Sequence, residues 1–197
     1  MRSARPEAGR ALLALVSGLA GLGLLLGATL GLGPFASVCS TTAAARALAA
    51  QMRACRVEAY ADGHSRAVVF PLMANEPYVI ARDGDGDGLR RADLALGIDT
   101  RGPASSLARD YPGIRIASPP WPAPALPSGQ GVIGLATPAL RFGRARLVAF
   151  TADGRATPGS LFVTDGRQTL CAVVVTGATA RTRVYCLDRR AARWRLR

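Results

Sequence analysis

The stretch 11-ALLALVSGLAGLGLLLGATLGLGPFASVCSTTAAA-45 contains no charged residue, and its reading decides the fold of the chain. An α-helix over Ala11–Val38 would extend on the order of 40 Å at 1.5 Å per residue, more than the roughly 30 Å of a bilayer's hydrocarbon core. Arg2, Arg5 and Arg10 precede it, and the positive-inside rule then leaves the N-terminus in the cytoplasm and the following chain outside. A cleaved secretory signal is the competing reading, because a basic start and small residues near Ala36 also suit one, although the run is long for it. A lipidated Cys39 is disfavoured by the bulk of Val38.

Within the run, Gly23, Gly27 and Gly31 fall four apart on one helical face, a small-residue stripe that lets a second helix approach closely. Pro34 after Gly33 predicts a kink or interruption near the outer boundary. Beyond it, Ala44, Leu48, Met52, Cys55 and Ala59 recur at three- and four-residue spacing while Arg46, Arg53 and Arg56 point elsewhere. That is an amphipathic helix laying an apolar stripe on a globular domain, ended by Asp62 and Gly63. The chain therefore divides into a leader-like segment 1–10, a membrane helix 11–38, an amphipathic helix 39–63 and an extracytoplasmic β-rich domain 64–197.

A chain of 197 residues allows one anchor and one domain, since a remainder of about 140 residues buries a proper core. The net charge of +12 comes from arginine alone, with no lysine. Together with abundant Ala and Gly, this bias reflects a GC-rich coding background as much as selection for a polyanion. Four cysteines and one histidine, His64, argue against a zinc cluster, which needs closely spaced Cys and His pairs.

From Ser65 onward short β-rich runs alternate with Gly, Pro and Asp. Strands are expected near Arg66–Leu72, Tyr78–Arg82, Ile114–Ala117, Leu147–Thr151, Ser160–Thr164, Thr169–Thr176 and Thr182–Leu187. Asp165-Gly166 is a hairpin turn signal, and the proline-rich stretch Pro119–Pro127 reads as an extended surface loop. If the last two strands form a hairpin around Gly177–Ala180, Thr176 pairs with Arg181, and counting outward sets Cys171 opposite Cys186, within disulfide range. Two facing but reduced thiols are the alternative. Cys39 and Cys55 on one continuous helix would stand roughly 24 Å apart and cannot join.

The order of membrane helix, amphipathic helix and β-rich domain resembles the type IV pilin-like proteins, and more narrowly the minor pseudopilins of the type II secretion H / FimT family. The stretch AAARALAAQMRACRVEAYADGHSRAVVF from Ala43 to Phe70 looks like that family's helix-to-first-strand junction. RDGDGDGLRRADLALGIDT is similar to an insertion of some members, and GATARTRVY is similar to a C-terminal stretch. The resemblance implies an α+β pilin-like fold in an inner membrane, cleavage after Gly9 followed by N-methylation, and other pilins or pseudopilins as partners. The chain departs from the family at its N-terminal motif: Arg10 stands where Phe follows the cleaved glycine, and Ala14 where a glutamate is usual. That departure removes an ionic contact that would help fix a subunit's register.

Two further motifs carry chemistry. Asp83, Asp85 and Asp87 followed by Gly88 match the opening of a calcium loop, in which carboxylates at positions one, three and five converge on a hard cation. Leu89 would offer its carbonyl, but the twelfth position is Leu94, so the closing acid would be Asp93, one place early. Without a cation, the alternative is a solvated acidic turn beside Arg90 and Arg91. In the tail, Arg189, Arg190, Arg193, Arg195 and Arg197 with Trp194 could neutralise phosphates and stack a base. The competing reading is a solvated terminus with Trp194 and Leu196 packed on the sheet.

No nucleophile context or phosphate loop is recognisable, and His64 reads as a turn residue. The expectation is a single-pass minor pseudopilin of a type II secretion or type IV pilus system, acting by assembly rather than turnover and taking no small-molecule substrate. A minor pilin that captures DNA through its arginine tail, and an anchored calcium-binding domain that never assembles, are the alternatives.

Overall fold

The computed structural model describes residues 38–71, 77–127 and 132–197. Gly9, the span to residue 37, its Gly23, Gly27 and Gly31 stripe and the Pro34 kink lie outside the described residues. Among those described, no helix is long and apolar enough to cross a membrane.

Helix α1 covers residues 38–62 of those described and ends within one residue of its expected end. The stripe read from the sequence, Ala44, Leu48, Met52, Cys55 and Ala59, is buried, and Ala45 and Ala49 join it, none more than 1% exposed. Gly63 stops the helix by turning left-handed at φ 73°, its N–H donating 3.1 Å to the Ala59 carbonyl, a conformation glycine adopts without steric cost. The helix is part of the same unit as the β-rich chain, Val38–Arg197.

Two antiparallel sheets receive that stripe. Strands β1 (Arg66–Val69), β2 (Tyr78–Arg82), β3 (Thr100–Ser105) and β8 (Leu147–Phe150) form a four-stranded sheet in the order β3-β2-β1-β8. Strands β4 (Arg115–Ile116), β9 (Gly159–Thr164), β10 (Leu170–Val175), β11 (Thr182–Asp188) and β12 (Arg193–Leu196) run β12-β11-β10-β9-β4 in the second, with β7 (Leu140–Arg141) also on β9. The fold is α+β, with α1 and both inner sheet faces sharing one core. Val68 and Val148 meet it from the first sheet, and Leu161, Val163, Val173 and Val184 from the second.

The outer faces close differently. On the six-stranded sheet Phe162, Leu170, Ala172 and Tyr185 pack under a two-stranded ribbon, β5 (Ala123–Pro124) with β6 (Val132–Ile133), and against Trp121 and Trp194. The proline-rich stretch is therefore more than a surface loop: Ala123 and Leu126 are buried, because β10 is apolar at every position and needs cover on both faces. On the four-stranded sheet Ala67, Val69, Ala81 and Leu147 pack under Leu89 and Leu94, the latter on helix α2 (Arg91–Leu96). A one-turn helix α3 (Leu107–Asp110) follows β3.

All seven expected strands are present: Tyr78–Arg82 has its expected ends, Gly159–Thr164 and Thr182–Asp188 each gain a residue, and the other four are shorter. The structure adds β3, whose TRGPAS sequence carries a glycine and a proline. Proline lacks the N–H a central strand would need, and β3 is an edge. The tail is also a strand, and pairs Asp188 with Arg193 and Cys186 with Arg195.

The hairpin of β10 and β11 has the register obtained by counting. Thr176 N–H donates to the Arg181 carbonyl at 3.0 Å, and Cys171 faces Cys186. Their Cα atoms are 4.0 Å apart and a disulfide joins them. Cys39 and Cys55, both on α1, are free thiols.

Candidate functional site

Glycine and aspartate alternate over residues 83–88 between β2 and α2, so the backbone there has no apolar side chains to bury and organises itself around carboxylates instead. Asp83 is 1% exposed, and its two oxygens accept N–H bonds from Gly86 at 2.8 Å and Gly88 at 3.0 Å. Both glycines have positive φ, 85° and 96°, which lets the chain curl around the buried acid. The Asp83 N–H donates to Ser65 at 2.9 Å, tying the loop to the C-terminal end of α1.

The second organising acid is Asp99, 2% exposed, which accepts N–H bonds from Gly84 at 3.1 Å and Arg90 at 3.4 Å. The loop thus closes on the residue preceding β3. A Cβ at Gly84 would sit 2.1 Å from the Ile98 carbonyl oxygen, so only glycine permits this approach. Asp99 is absent from the ligands read in the sequence. Backbone accounting is the signal that could have found it, since a glycine-rich loop presents N–H groups that need acceptors.

One oxygen each of Asp83, Asp85 and Asp87 lies within 4.8 Å of the others. Asp93 falls outside that trio, but its Oδ2 is buried with no hydrogen-bond partner, and its charge helps raise the Asp87 carboxyl. Loss of hydration is the main cause of the Asp87 shift, with Asp85 adding to it and Arg90, its ion-pair partner, opposing it. Leu89 turns its side chain into the outer core. Carboxylate oxygens each hold two lone pairs, so Asp83 keeps acceptor capacity after its two N–H bonds. The donor set fits a hard, oxygen-seeking cation.

Arg91, the first residue of α2, donates to the Phe70 and Ala145 carbonyls and pins α2 beside β1 and β8. Burial pushes its guanidinium below the usual range, with Arg146 and Arg101 adding to the effect. Nearby, Asp62 at the end of α1 pairs with Arg66 at 2.7 Å, and that hydrogen bond chiefly holds its carboxyl down at about 2. His64 sits in the turn after α1, its N–H donating to Asp62.

The arginine tail does not form one stripe. Residues facing each other across an antiparallel pair share a sheet face, so Arg195 lies on the side of Cys186, while Trp194, opposite Leu187, packs into the outer core. The Trp194 Nε1–H donates 2.9 Å to the Pro124 carbonyl. Arg195 pairs with Asp188 at 2.6 Å, and Leu196 is 62% exposed rather than packed. Arg189 instead stacks over Trp121, 4.3 Å from the ring centre.

A cleft of about 280 Å³ lies between Phe70, Tyr78, Leu107, Ile116 and Leu140. Its Ser106 caps α3 by accepting the Arg109 N–H. Comparison with protein-family models, with curated proteins and with solved structures returns no match.

Proposed function

We propose that this protein is a membrane-anchored, pseudopilin-like assembly subunit. The observation that carries the reading is α1: its first residues belong to the uncharged run that extends to Ala45, and its apolar stripe is sealed onto both sheets. The same helix leaves Val57 65% and Tyr60 78% exposed. A helix that holds its own domain on one face and presents apolar side chains on another suits lateral packing between subunits.

In this reading the 83–99 loop holds calcium through Asp83, Asp85 and Asp87, with Asp93 as a nearby oxygen source. The cation would neutralise carboxylates that otherwise repel one another. DNA capture by the tail has less support, because Trp194 is turned away from Arg195 into the outer core.

The test uses the full-length protein in its own membranes, with a photo-crosslinker at Val57 or Tyr60 and mass analysis of the mature N-terminus. Adducts with pilin-like subunits, and a chain beginning at Arg10, are expected. A mature chain beginning near Ser37, with no adducts, would overturn the proposal.

A further inference from the structure

We infer that the end of the domain where α1 begins is a contact surface for anionic phospholipid headgroups; the inference rests on the anchored reading proposed above. Thr41 Oγ1 lies 2.6 Å from Thr169 Oγ1, and Thr42 stands beside both sulfurs of the disulfide. The first turns of α1 are therefore level with the start of β10 and the end of β11. Two connections turn at that level, 165–169 and 189–192, and β4 sets Arg115 opposite Thr164 there.

Arginine dominates what these elements expose. Arg167, Arg189, Arg190 and Arg193 are exposed, and the Arg115 guanidinium lies against Gly166. The acids of this end are committed to its turns. Asp165 accepts the N–H groups of Arg167, Gln168 and Thr169, each at 2.9 Å, and Asp188 accepts the Ala191 N–H and pairs with Arg195.

The opposite end, where α1 stops, carries Glu58, Asp62 and the acidic loop tied to Ser65. Arginines at that end (Arg66, Arg82 and Arg90) are thus offset by paired acids, whereas arginine is in excess at the end where the described part of α1 starts. Continuity of the chain favours lipid over other polyanions: residues 11–37, which precede the described chain, are uncharged and apolar, so the basic end is the one that follows that run. Basic residues beside a membrane segment are drawn to anionic headgroups. Arg189 stacked on Trp121 adds the ring type enriched at the headgroup level.

The experiment reconstitutes the full-length protein in nanodiscs of phosphatidylcholine alone or with 30 mol% phosphatidylglycerol (about a third of the lipid) and reads amide exchange. Turns 165–169 and 189–192 should exchange more slowly in the anionic discs, and high salt should abolish the difference. Arg167→Gln with Arg190→Gln should lower that protection by roughly fivefold per arginine, with unchanged near-UV circular dichroism and an intact disulfide. The milder Arg190→Gln alone serves if the double variant misfolds. Equal protection in both discs would overturn the lipid contact, as would protection of the turns by an oligonucleotide but not by phosphatidylglycerol. Anchoring is read separately by flotation of the wild-type protein with zwitterionic vesicles in high salt. Failure there overturns the anchored reading, whereas arginine-dependent protection by anionic vesicles would still support the contact.

Discussion

The two sheets share α1 over their inner faces and part company on their outer ones. The six-stranded sheet is closed by apolar and aromatic groups, Leu126, Ile133, Trp121 and Trp194, and by a covalent bond between β10 and β11. The four-stranded sheet is closed by a short helix whose position depends on a loop folded around the buried carboxylates of Asp83 and Asp99. Hydrophobic burial involves no titrating group, whereas the hydrogen bonds of carboxylate-centred loops depend on the charge of their acids. One half of the domain is therefore held by burial and a covalent bond, the permanent side, and the other by hydrogen bonds to carboxylates, the adjustable side.

The contrast can be broken most severely on the permanent side. Phe162 is fully buried in the outer core, and Phe162→Ala is expected to cost about 4 kcal/mol by transfer and cavity terms. Urea denaturation measures it, and a loss below about 1 kcal/mol would show that the ribbon does not seal this face. Next, replacing Cys171 and Cys186 by alanine opens a bridge of sequence separation 15. Loop entropy sets that loss at about 3 kcal/mol, read as a lower midpoint that reducing agent does not lower further.

On the adjustable side, Asp83→Ala removes the acceptor of two N–H groups and should cost about 2 kcal/mol. Excess calcium should raise the melting temperature of the native protein, and Asp85→Ala should abolish the rise; an unchanged response in the variant removes calcium from the loop's role. The smallest effect sharpens the comparison at the shared helix. Burial pushes the Cys55 thiol from 9.0 up to about 11. The unfolded chain releases that proton at lower pH than the folded one, so the contribution is intact below pH 9 and lost as pH rises to about 11. Comparing Cys55→Ala with the native protein over that window should reveal a difference on the order of 1 kcal/mol, and parallel curves would contradict the burial.

Legibility followed the strength of local pattern. The stripe of α1, its stop at Gly63 and the strands rich in β-branched residues were readable, because period and turn chemistry are written in adjacent residues. The pairing of Cys171 with Cys186 was readable by counting across one hairpin. Strand β3 was not, since Gly102 and Pro103 are tolerated only by its place at an edge. The candidate cation loop was half readable: the trio Asp83, Asp85 and Asp87 stands in sequence, but Asp99 joins it only because the chain returns beside Gly84.

The sequence by itself determined an amphipathic helix, a disulfide hairpin, an acidic glycine loop and an arginine-rich tail, all set by residues within about one turn or one hairpin of each other. Tertiary structure decided which groups share a face or an end. It turned Trp194 into the outer core, stacked Arg189 on Trp121, and gathered Arg115, Arg167 and Arg190 where α1 begins. The physical reason is that β10 must be covered on both faces, and its cover comes from segments distant in the chain.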